Sequence, residues 1–180
     1  AVNHLALALR NALLFRQVKS LAERDGLTRV ANRRSFEERL DQESTRHARY
    51  GQPLALIMLD VDHFKRVNDT CGHQAGDGVL REMAGLLVEA LRTTDFPARY
   101  GGEEFAVILP HTSRDQAVLL AERIRERVAG RCFLAGETLP AASEECVESG
   151  LRITVSAGVA ALAPGLTPSD MVALADQALY

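Results

Sequence analysis

Two separated segments carry acidic side chains that could act together on a metal ion. The first holds Asp60 and Asp62 at the end of the apolar run LALIMLDV. Because they are two residues apart, they would point to the same side of a regular strand. A carboxylate beside a buried strand is costly unless it is neutralised, and a hard divalent cation is a natural partner. The simpler interpretation, that one Asp caps a helix and the other is solvated, is equally open from this pair alone.

The second acidic segment is Gly101-Gly102-Glu103-Glu104. Two glycines permit a tight turn and a close approach of the backbone to a ligand, and the acids place a carboxylate at the mouth of that turn. An ordinary hairpin with charged strand ends is the alternative. If the hairpin lies beside the strand that ends at Asp60, these carboxylates converge and repel one another unless metal is bound. With two Mg²⁺ ions such a cluster can activate a hydroxyl group and polarise a triphosphate.

The run from His63 to Asn68 could bind a nucleotide. Backbone N–H groups at a turn or helix start after a strand can bind phosphate, and Lys65 adds positive charge. Asn68 both donates and accepts hydrogen bonds, whereas Asp77 only accepts them, so the pair matches the edge of guanine. Asn and Asp are also common in turns, and that interpretation would ordinarily be preferred.

Hydrophobic periodicity predicts the elements that must position these side chains. The predicted strands are Leu54–Val61, Phe96–Tyr100, Glu104–Leu109 and Leu151–Ala160. The predicted helices run over about Ser35–Tyr50 and Gly76–Arg92, from Ser113 through Val128, and onward from a Ser169 cap. A loop is expected after the first strand, and a loop or irregular hairpin over 131–150. The order β-α-β-β-α-β favours an α+β fold, with a ferredoxin-like or palm-type, mainly antiparallel sheet and helices on one face.

Residues 1–24 are expected to form an N-terminal linker helix ahead of a domain spanning 25–180. Leu7, Leu14 and Leu21 recur every seven residues, which is typical of a signalling coiled coil. A helix packed on its own domain is the equal alternative. The chain begins with Ala and ends at Leu179-Tyr180, so we expect a fragment whose C-terminal end is cut short.

The composition is that of an ordinary globular protein. The 180 residues are 47% apolar and 25% charged with a formal net charge of −3, which argues against disorder and against bulk attraction to nucleic acid. Arg10 interrupts the early apolar stretch, so no membrane contact is expected from this fragment. Three cysteines without a CxxC pair argue against a disulfide framework and favour a cytoplasmic protein. A full-length protein could still be membrane-anchored through a missing N-terminal part.

Taken together, the motifs resemble the diguanylate cyclase (GGDEF) family in its GGEEF variant. The signature is RYGGEEF at 99–105, and further blocks stand in family order across 25–180. These blocks are Asp25–Thr28, Asn32–Arg34 with Phe36, Asp60–Lys65, Asn68–Asp69, Gly72–His73, Gly76–Asp77, Thr154–Ser156 with Gly158, and Ala178–Tyr180. The resemblance implies that two GTP molecules are condensed into cyclic di-GMP with loss of two pyrophosphates, at the interface of a homodimer.

The resemblance also implies roles for single residues. Asp60, the backbone of Val61, and Glu103 would bind Mg²⁺, with two ions per site and Mn²⁺ as a substitute. Glu104 would also bind metal and activate the 3′-hydroxyl group, with Lys65 assisting catalysis. The substrate-binding residues implied by the family are Asn68 and Asp77 for guanine, with His63, Phe64, Lys65 and Gly102 around the phosphates.

Arg92 and Asp95 form an RxxD sequence before the glycine pair. By itself this is a helix C-terminus with a favourable Arg and a solvated Asp. In the family, RxxD at this spacing is an inhibitory product-binding site. Arg123 stands where a further product-binding Arg is often found, although a solvated helix face is nearly as good an explanation.

Some residues depart from the family pattern. Arg29-Val30 replaces Gly-Leu, Cys71 replaces Tyr, and the basic segment that follows Ala-Leu-Tyr in the family is missing.

Asp25 is expected to pair with Arg99 and so connect the domain entrance to the active hairpin. An upstream sensor or receiver domain is the expected regulatory partner.

Two other functions remain open. A catalytically weak receptor module could bind GTP or cyclic di-GMP, although such relatives typically lose the acids of the GG motif. A purine nucleotide cyclase or polymerase-palm enzyme shares the two-metal sheet edge but not the Asn68/Asp77 pair.

Overall fold

The computed structural model describes residues 23–134 and 150–179. The strands are β1 (Leu54–Val61), β2 (Phe96–Arg99), β3 (Glu104–Pro110) and β4 (Val155–Ala161). The helices are α1 (Arg33–Tyr50), α2 (Phe64–Cys71), α3 (His73–Ala90), α4 (Arg114–Gly130) and α5 (Pro168–Gln177). The predicted N-terminal coiled coil, and most of the irregular segment predicted over 131–150, lie outside the described residues.

The four strands form one antiparallel sheet in the order β2-β3-β1-β4. This order follows from the element sequence, because a split βαβ arrangement inserts β3 between β1 and β2. It confirms the predicted α+β, ferredoxin-like class. In the register of the sheet, Asp60 lies opposite Glu104 on one side and Ser156 on the other.

Helices cover both faces of the sheet, so the prediction of helices on one face is wrong. Alternate residues of β1 enter two different cores. Ile57 and Leu59 pack with α3 and α4, whereas Leu56 and Met58 pack with α1 and α5. The reason is visible in the sequence of β1, because a strand that is apolar at successive positions requires cover on both sides.

One helix replaces a predicted loop. The segment after β1 forms α2, in which the buried residues Phe64 and Cys71 are seven positions apart and therefore share a face. The remaining residues of α2 are polar or half-buried, which is why the segment has the composition of a loop. Cys71 is disulfide-bonded, contrary to the expectation from the odd number of cysteines.

Several element boundaries also differ from the prediction, among them the helix predicted over Gly76–Arg92, which is His73–Ala90. Helix α1 begins at Arg33 rather than at about Ser35, and Asn32 caps it by accepting a hydrogen bond from the Ser35 N–H at 3.0 Å. Thr167 rather than Ser169 caps α5, in a reciprocal capping box with Asp170. The last strand begins four residues later than predicted, because Leu151 pairs with Phe133 instead.

None of the helices in the two described ranges is long and apolar enough to cross a bilayer.

Candidate active site at the ends of strands β1 and β3

The predicted acidic residues lie at one end of the sheet, where the inner strand β1 ends and the inner strand β3 begins. Asp60 is the second-last residue of β1 and lies opposite Glu104, the first residue of β3. The pKa of Asp60 is raised to about 6, mainly by burial and further by the neighbouring charges of Glu103, Glu104 and Asp62. The two acidic segments recognised in the sequence therefore lie close enough for their charges to interact.

The turn between β2 and β3 is built around Glu104. Its carbonyl oxygen accepts hydrogen bonds from Tyr100 N at 2.8 Å and from Gly101 N at 3.3 Å. A Cβ atom at Gly101 would collide with the Oε2 atom of Glu104. The first glycine of the pair therefore leaves room for this carboxylate to lie over the turn, whereas Gly102 has open space around it.

The donor set fits a hard divalent cation. Asp60, Glu103 and Glu104 offer carboxylate oxygens, and such oxygens are the ligands that Mg²⁺ prefers. Burial, followed by the charges of Glu103, Glu104 and Asp62, raises the pKa of Asp60, so a bound cation would stabilise its charged form. Within 23–134 and 150–179, no three His, Cys, Asp or Glu side chains stand close enough together to hold a metal ion. Carboxylates that repel one another are expected to separate when no cation draws them together.

Asp62 is not part of the regular strand that its two-residue spacing from Asp60 assumes. Strand β1 ends at Val61, and the Asp62 carboxylate contacts residues at the start of β4. It accepts hydrogen bonds from Thr154 Oγ1 at 2.5 Å and from Ser156 Oγ at 2.7 Å. Sequence reasoning missed this contact, and the only signal was that Thr154–Ser156 belongs to a family block.

The turn from β1 into α2 contains the predicted phosphate-binding groups. His63 precedes the helix with a left-handed backbone at φ 56°. Phe64 and Lys65 are the first helical residues, where a helix leaves N–H donors without intrahelical acceptors. The Phe64 side chain is buried and the Lys65 side chain is exposed. The turn thus presents backbone donors and one exposed positive charge.

The predicted guanine-binding pair lies between α2 and α3. Asn68 is half-buried, and a Cβ atom at Gly76 would overlap its Oδ1 atom and lie 3.0 Å from its Cγ atom. Gly76 therefore permits the close packing of the carboxamide against α3, next to the exposed Asp77. In the described part of the chain, neither side chain has a hydrogen-bond partner of its own. Both remain available to a ligand.

The RxxD residues form a turn after α3. Asp95 closes this turn by accepting a hydrogen bond from Arg92 N at 2.9 Å. Arg123 of α4 donates from Nη2 to the carbonyl oxygen of Ala90 at 3.1 Å. The three predicted product-binding residues, which are dispersed over 32 positions, are thus held around the end of α3.

A cavity of about 830 Å³ lies elsewhere, between the 23–31 segment, α1, α3 and the edge strand β2. Arg29, Arg39 and Arg81 line it, but none of the residues predicted to bind metal, GTP or product does.

Residues 22–180 match the family model described as "Diguanylate cyclase, GGDEF domain". The chain therefore belongs to the diguanylate cyclase GGDEF-domain family, as the motifs indicated. It is 45% identical to diguanylate cyclase DgcP of Pseudomonas aeruginosa, over 87% of this chain and 22% of that protein. It is 42% identical to the response regulator PleD of Caulobacter vibrioides, over 89% of this chain and 34% of that protein. The chain thus spans at most about a third of these two relatives.

Solved structures show the same fold. The coiled coil and GGDEF domain of DgcB from Caulobacter crescentus, in complex with c-di-GMP, matches with a TM-score of 0.89 at 35% identity. That match covers 99% of this chain and 90% of the other. The active GGEEF domain of a diguanylate cyclase from Vibrio cholerae matches with a TM-score of 0.72 at 36% identity, covering 83% and 88% of the two chains.

Proposed function

We propose that residues 25–180 form a diguanylate cyclase domain, preceded by a signalling helix in 1–24. The reaction joins two GTP molecules into cyclic di-GMP and releases two pyrophosphates. The observation that carries the proposal is the position of Asp60 opposite Glu104, with a pKa raised to about 6 by burial and by the adjacent acids. An edge with this excess of negative charge is suited to binding divalent cations and the phosphates they accompany.

Asp60, the backbone of Val61, Glu103 and Glu104 would hold the metal, two Mg²⁺ ions per site with Mn²⁺ as a substitute. When bound, these ions would lower the pKa of the attacking hydroxyl and balance the charge on the phosphate. Family membership and the oxygen donors at the sheet edge support this assignment.

The protein's own groups supply orientation and a proton acceptor. The N–H groups at the start of α2 and the ammonium group of Lys65 bind the phosphates, and Gly102 lets the chain approach them closely. Asn68 and Asp77 bind the guanine edge. The Glu104 carboxylate takes the proton from the 3′-hydroxyl group, whose oxygen forms a bond to the α-phosphorus of the other GTP. The bond from that phosphorus to the bridging oxygen breaks, and pyrophosphate leaves. A second such attack closes the ring.

Each domain binds one GTP, so two domains must face each other. The product has two-fold symmetry, which matches a homodimer with a two-fold axis. The leucine repeat in 1–24 is a suitable pairing segment, and an upstream sensor or receiver domain would control the encounter of the two domains. The protein works in the cytoplasm, where GTP is available. Arg92, Asp95 and Arg123 bind cyclic di-GMP, and the bound product inhibits the enzyme.

Incubation of the purified chain with GTP and Mg²⁺, followed by mass spectrometry of the products, tests the proposal. Cyclic di-GMP is the expected product, and Glu104→Gln should abolish its formation. Glu126→Gln, which changes an exposed acid on α4, is the matched control and should leave turnover intact. A monomeric cyclic nucleotide would contradict the proposal in favour of a purine nucleotide cyclase. Tight binding of GTP or cyclic di-GMP without turnover would favour the receptor module.

A further inference from the structure

Asp62 makes three hydrogen bonds to Thr154, which immediately precedes β4, and to Ser156 within β4, both more than ninety residues later in the sequence. Its backbone N–H donates to the carbonyl oxygen of Thr154 at 3.0 Å. Its Oδ2 atom accepts from Thr154 Oγ1 at 2.5 Å, and its Oδ1 atom accepts from Ser156 Oγ at 2.7 Å. Both carboxylate oxygens therefore accept hydrogen bonds from hydroxyl groups at the start of β4.

This arrangement separates Asp62 from Asp60, although the two share one motif. Asp60 lies within β1 opposite Glu104, and burial and neighbouring acids raise its pKa. Asp62 lies beyond the end of β1, and both of its carboxylate oxygens accept hydrogen bonds from protein hydroxyl groups, although its charge also contributes to the raised pKa of Asp60. Hydrogen bonds to a charged carboxylate are among the stronger ones in proteins, so this connection is suited to fixing a backbone position.

The backbone that Asp62 fixes leads directly to the start of α2. The next residue, His63, has a left-handed backbone, which is unfavourable for a residue other than glycine. Its side chain makes no capping hydrogen bond to the helix. A strained turn persists only when its surroundings determine it, and the contacts of Asp62 with β4 supply that constraint from the N-terminal side.

We propose that Asp62, held by Thr154 and Ser156, is a positioning residue that fixes the β1–α2 turn in the geometry that binds the phosphates of the nucleotide. Asp62 acts through the backbone of the turn and binds neither metal nor substrate. The part of this inference that concerns phosphate rests on the proposed function. The part that concerns the rigidity of the turn does not.

Removal of the two hydroxyl groups tests this inference without changing the charge of Asp62. The variants are Thr154→Val, Ser156→Ala and the double substitution, with Asp60→Asn as the comparison for a metal ligand. Thr154→Ser and Ser156→Thr keep a hydroxyl group at each position and should bind GTP as tightly as the parent chain does. Thr45→Val removes a hydroxyl that donates to Asp41 O at 2.9 Å on the exposed face of α1, and it controls for the loss of any such bond.

Two measurements distinguish the possible results. GTP affinity of the double variant should fall about tenfold, the effect of losing hydrogen bonds to a charged group. The Mg²⁺ concentration for half-maximal activity should stay unchanged, whereas Asp60→Asn should raise it. Unchanged GTP affinity, or a raised Mg²⁺ requirement in the double variant, would overturn the inference.

Amide hydrogen exchange without nucleotide separates this inference from the proposed function. In the double variant, the hydrogen-bonded amides of Asp62 and Arg66 should exchange faster than in the parent chain, while those of β3 should not change. If the parent chain binds no GTP, faster exchange at the turn still supports the positioning role and only the proposed function fails. Unaltered exchange at the turn refutes the positioning role whatever the nucleotide result.

Discussion

Arg99, the last residue of β2, forms an ion pair with Asp25, with 3.1 Å between Arg99 Nη1 and Asp25 Oδ1. The same guanidinium donates to the carbonyl oxygen of Gly102, at 3.1 Å from Nε and 2.7 Å from Nη2. Asp25 in turn accepts from the N–H and hydroxyl groups of Thr28 at 2.8 Å and 2.7 Å. The predicted Asp25–Arg99 pair is confirmed, and it connects the entrance of the domain directly to the glycine turn.

Asp25→Asn should impair control of the enzyme more than substrate binding. Burial alone would raise the pKa of Asp25, but the hydrogen bonds from Thr28 and Arg99 outweigh it and hold the pKa below its usual value. Asn carries no charge for Arg99, so the link to the glycine turn weakens. In the full-length protein we expect the response to the upstream signal to be lost while the Kd for GTP changes less than about twofold.

Asp41→Asn, an exposed position of α1, is the control for Asp25→Asn. The measurement is cyclic di-GMP production with and without the activating signal, beside a GTP titration. Regulation that persists unchanged in Asp25→Asn would show that the ion pair is a local structural contact only.

Asp60 should make the stability of the metal-free domain depend on pH. Its pKa is raised from 3.8 to about 6, so between these values the folded protein keeps a proton that the unfolded chain releases. Stability therefore falls as the pH rises through this range and stays lower above it. Because Asp60 is partly solvated, we expect an effect of only about 1 kcal/mol in the free energy of unfolding after allowance for solvent screening.

Asp60→Asn should accordingly raise the Tm at pH 8 in EDTA by roughly 2–4 °C, and should leave it nearly unchanged below pH 4. Mg²⁺ should stabilise the parent chain more than the variant, because the metal relieves the same repulsion. Thermal unfolding followed by circular dichroism at both pH values gives the comparison. A variant that is less stable than the parent at pH 8 without metal would contradict the assignment of Asp60 to an uncompensated acidic site.

Gly76→Ala should reduce the selectivity for guanine. The new methyl group would overlap the Asn68 carboxamide and force it away from α3. GTP binding should weaken about tenfold, as expected when a polar group of the base loses its partner, with little change for ATP. Asn68→Ala should show the same loss.

Gly85→Ala is the matched control on the same helix, because a Cβ atom there meets nothing within 4 Å. It should leave nucleotide binding intact and stabilise the helix by roughly 0.5–1 kcal/mol. Competition binding with GTP and ATP measures the selectivity of each variant. Equal ratios of GTP affinity to ATP affinity in Gly76→Ala and Gly85→Ala would show that Asn68 and Asp77 do not select guanine.

The parts of the site that depend on residues close together in the chain were easier to predict from the sequence than those that depend on distant residues. The strand that contains Asp60 near its end and the strand that begins at Glu104 were both visible, and the element order predicts that these two strands are neighbours. Helix α2 was not predicted, because only Phe64 and Cys71 of its residues are buried and its polar residues are equally typical of a loop. Local pattern does not distinguish a short, mostly solvated helix from a turn.

Long-range hydrogen bonds were the least predictable part of the site. Asp62 is separated from Thr154 and Ser156 by 92 and 94 residues. The two-residue spacing from Asp60 suggested a shared direction, but that holds only while the strand stays regular, and β1 ends one residue earlier. The choice between a helix cap, a metal ligand and a contact with β4 depends on which strand becomes the neighbour, and no local propensity encodes that.

Arg92→Ala and Arg123→Ala should each weaken product inhibition without lowering the initial rate. Arg123 is held at the end of α3 by its bond to Ala90, so its charge lies beside the RxxD turn although it belongs to α4. In the proposed product site, loss of either guanidinium would remove a phosphate-binding group, and the cyclic di-GMP concentration for half-maximal inhibition should rise about tenfold or more. Asp95 is a poorer choice, because its carboxylate also closes the turn. Arg127→Ala, an exposed position of the same helix α4, serves as the control. If Arg123→Ala matches Arg127→Ala in inhibition assays, Arg123 belongs to a solvated helix face and the product site reduces to the RxxD turn.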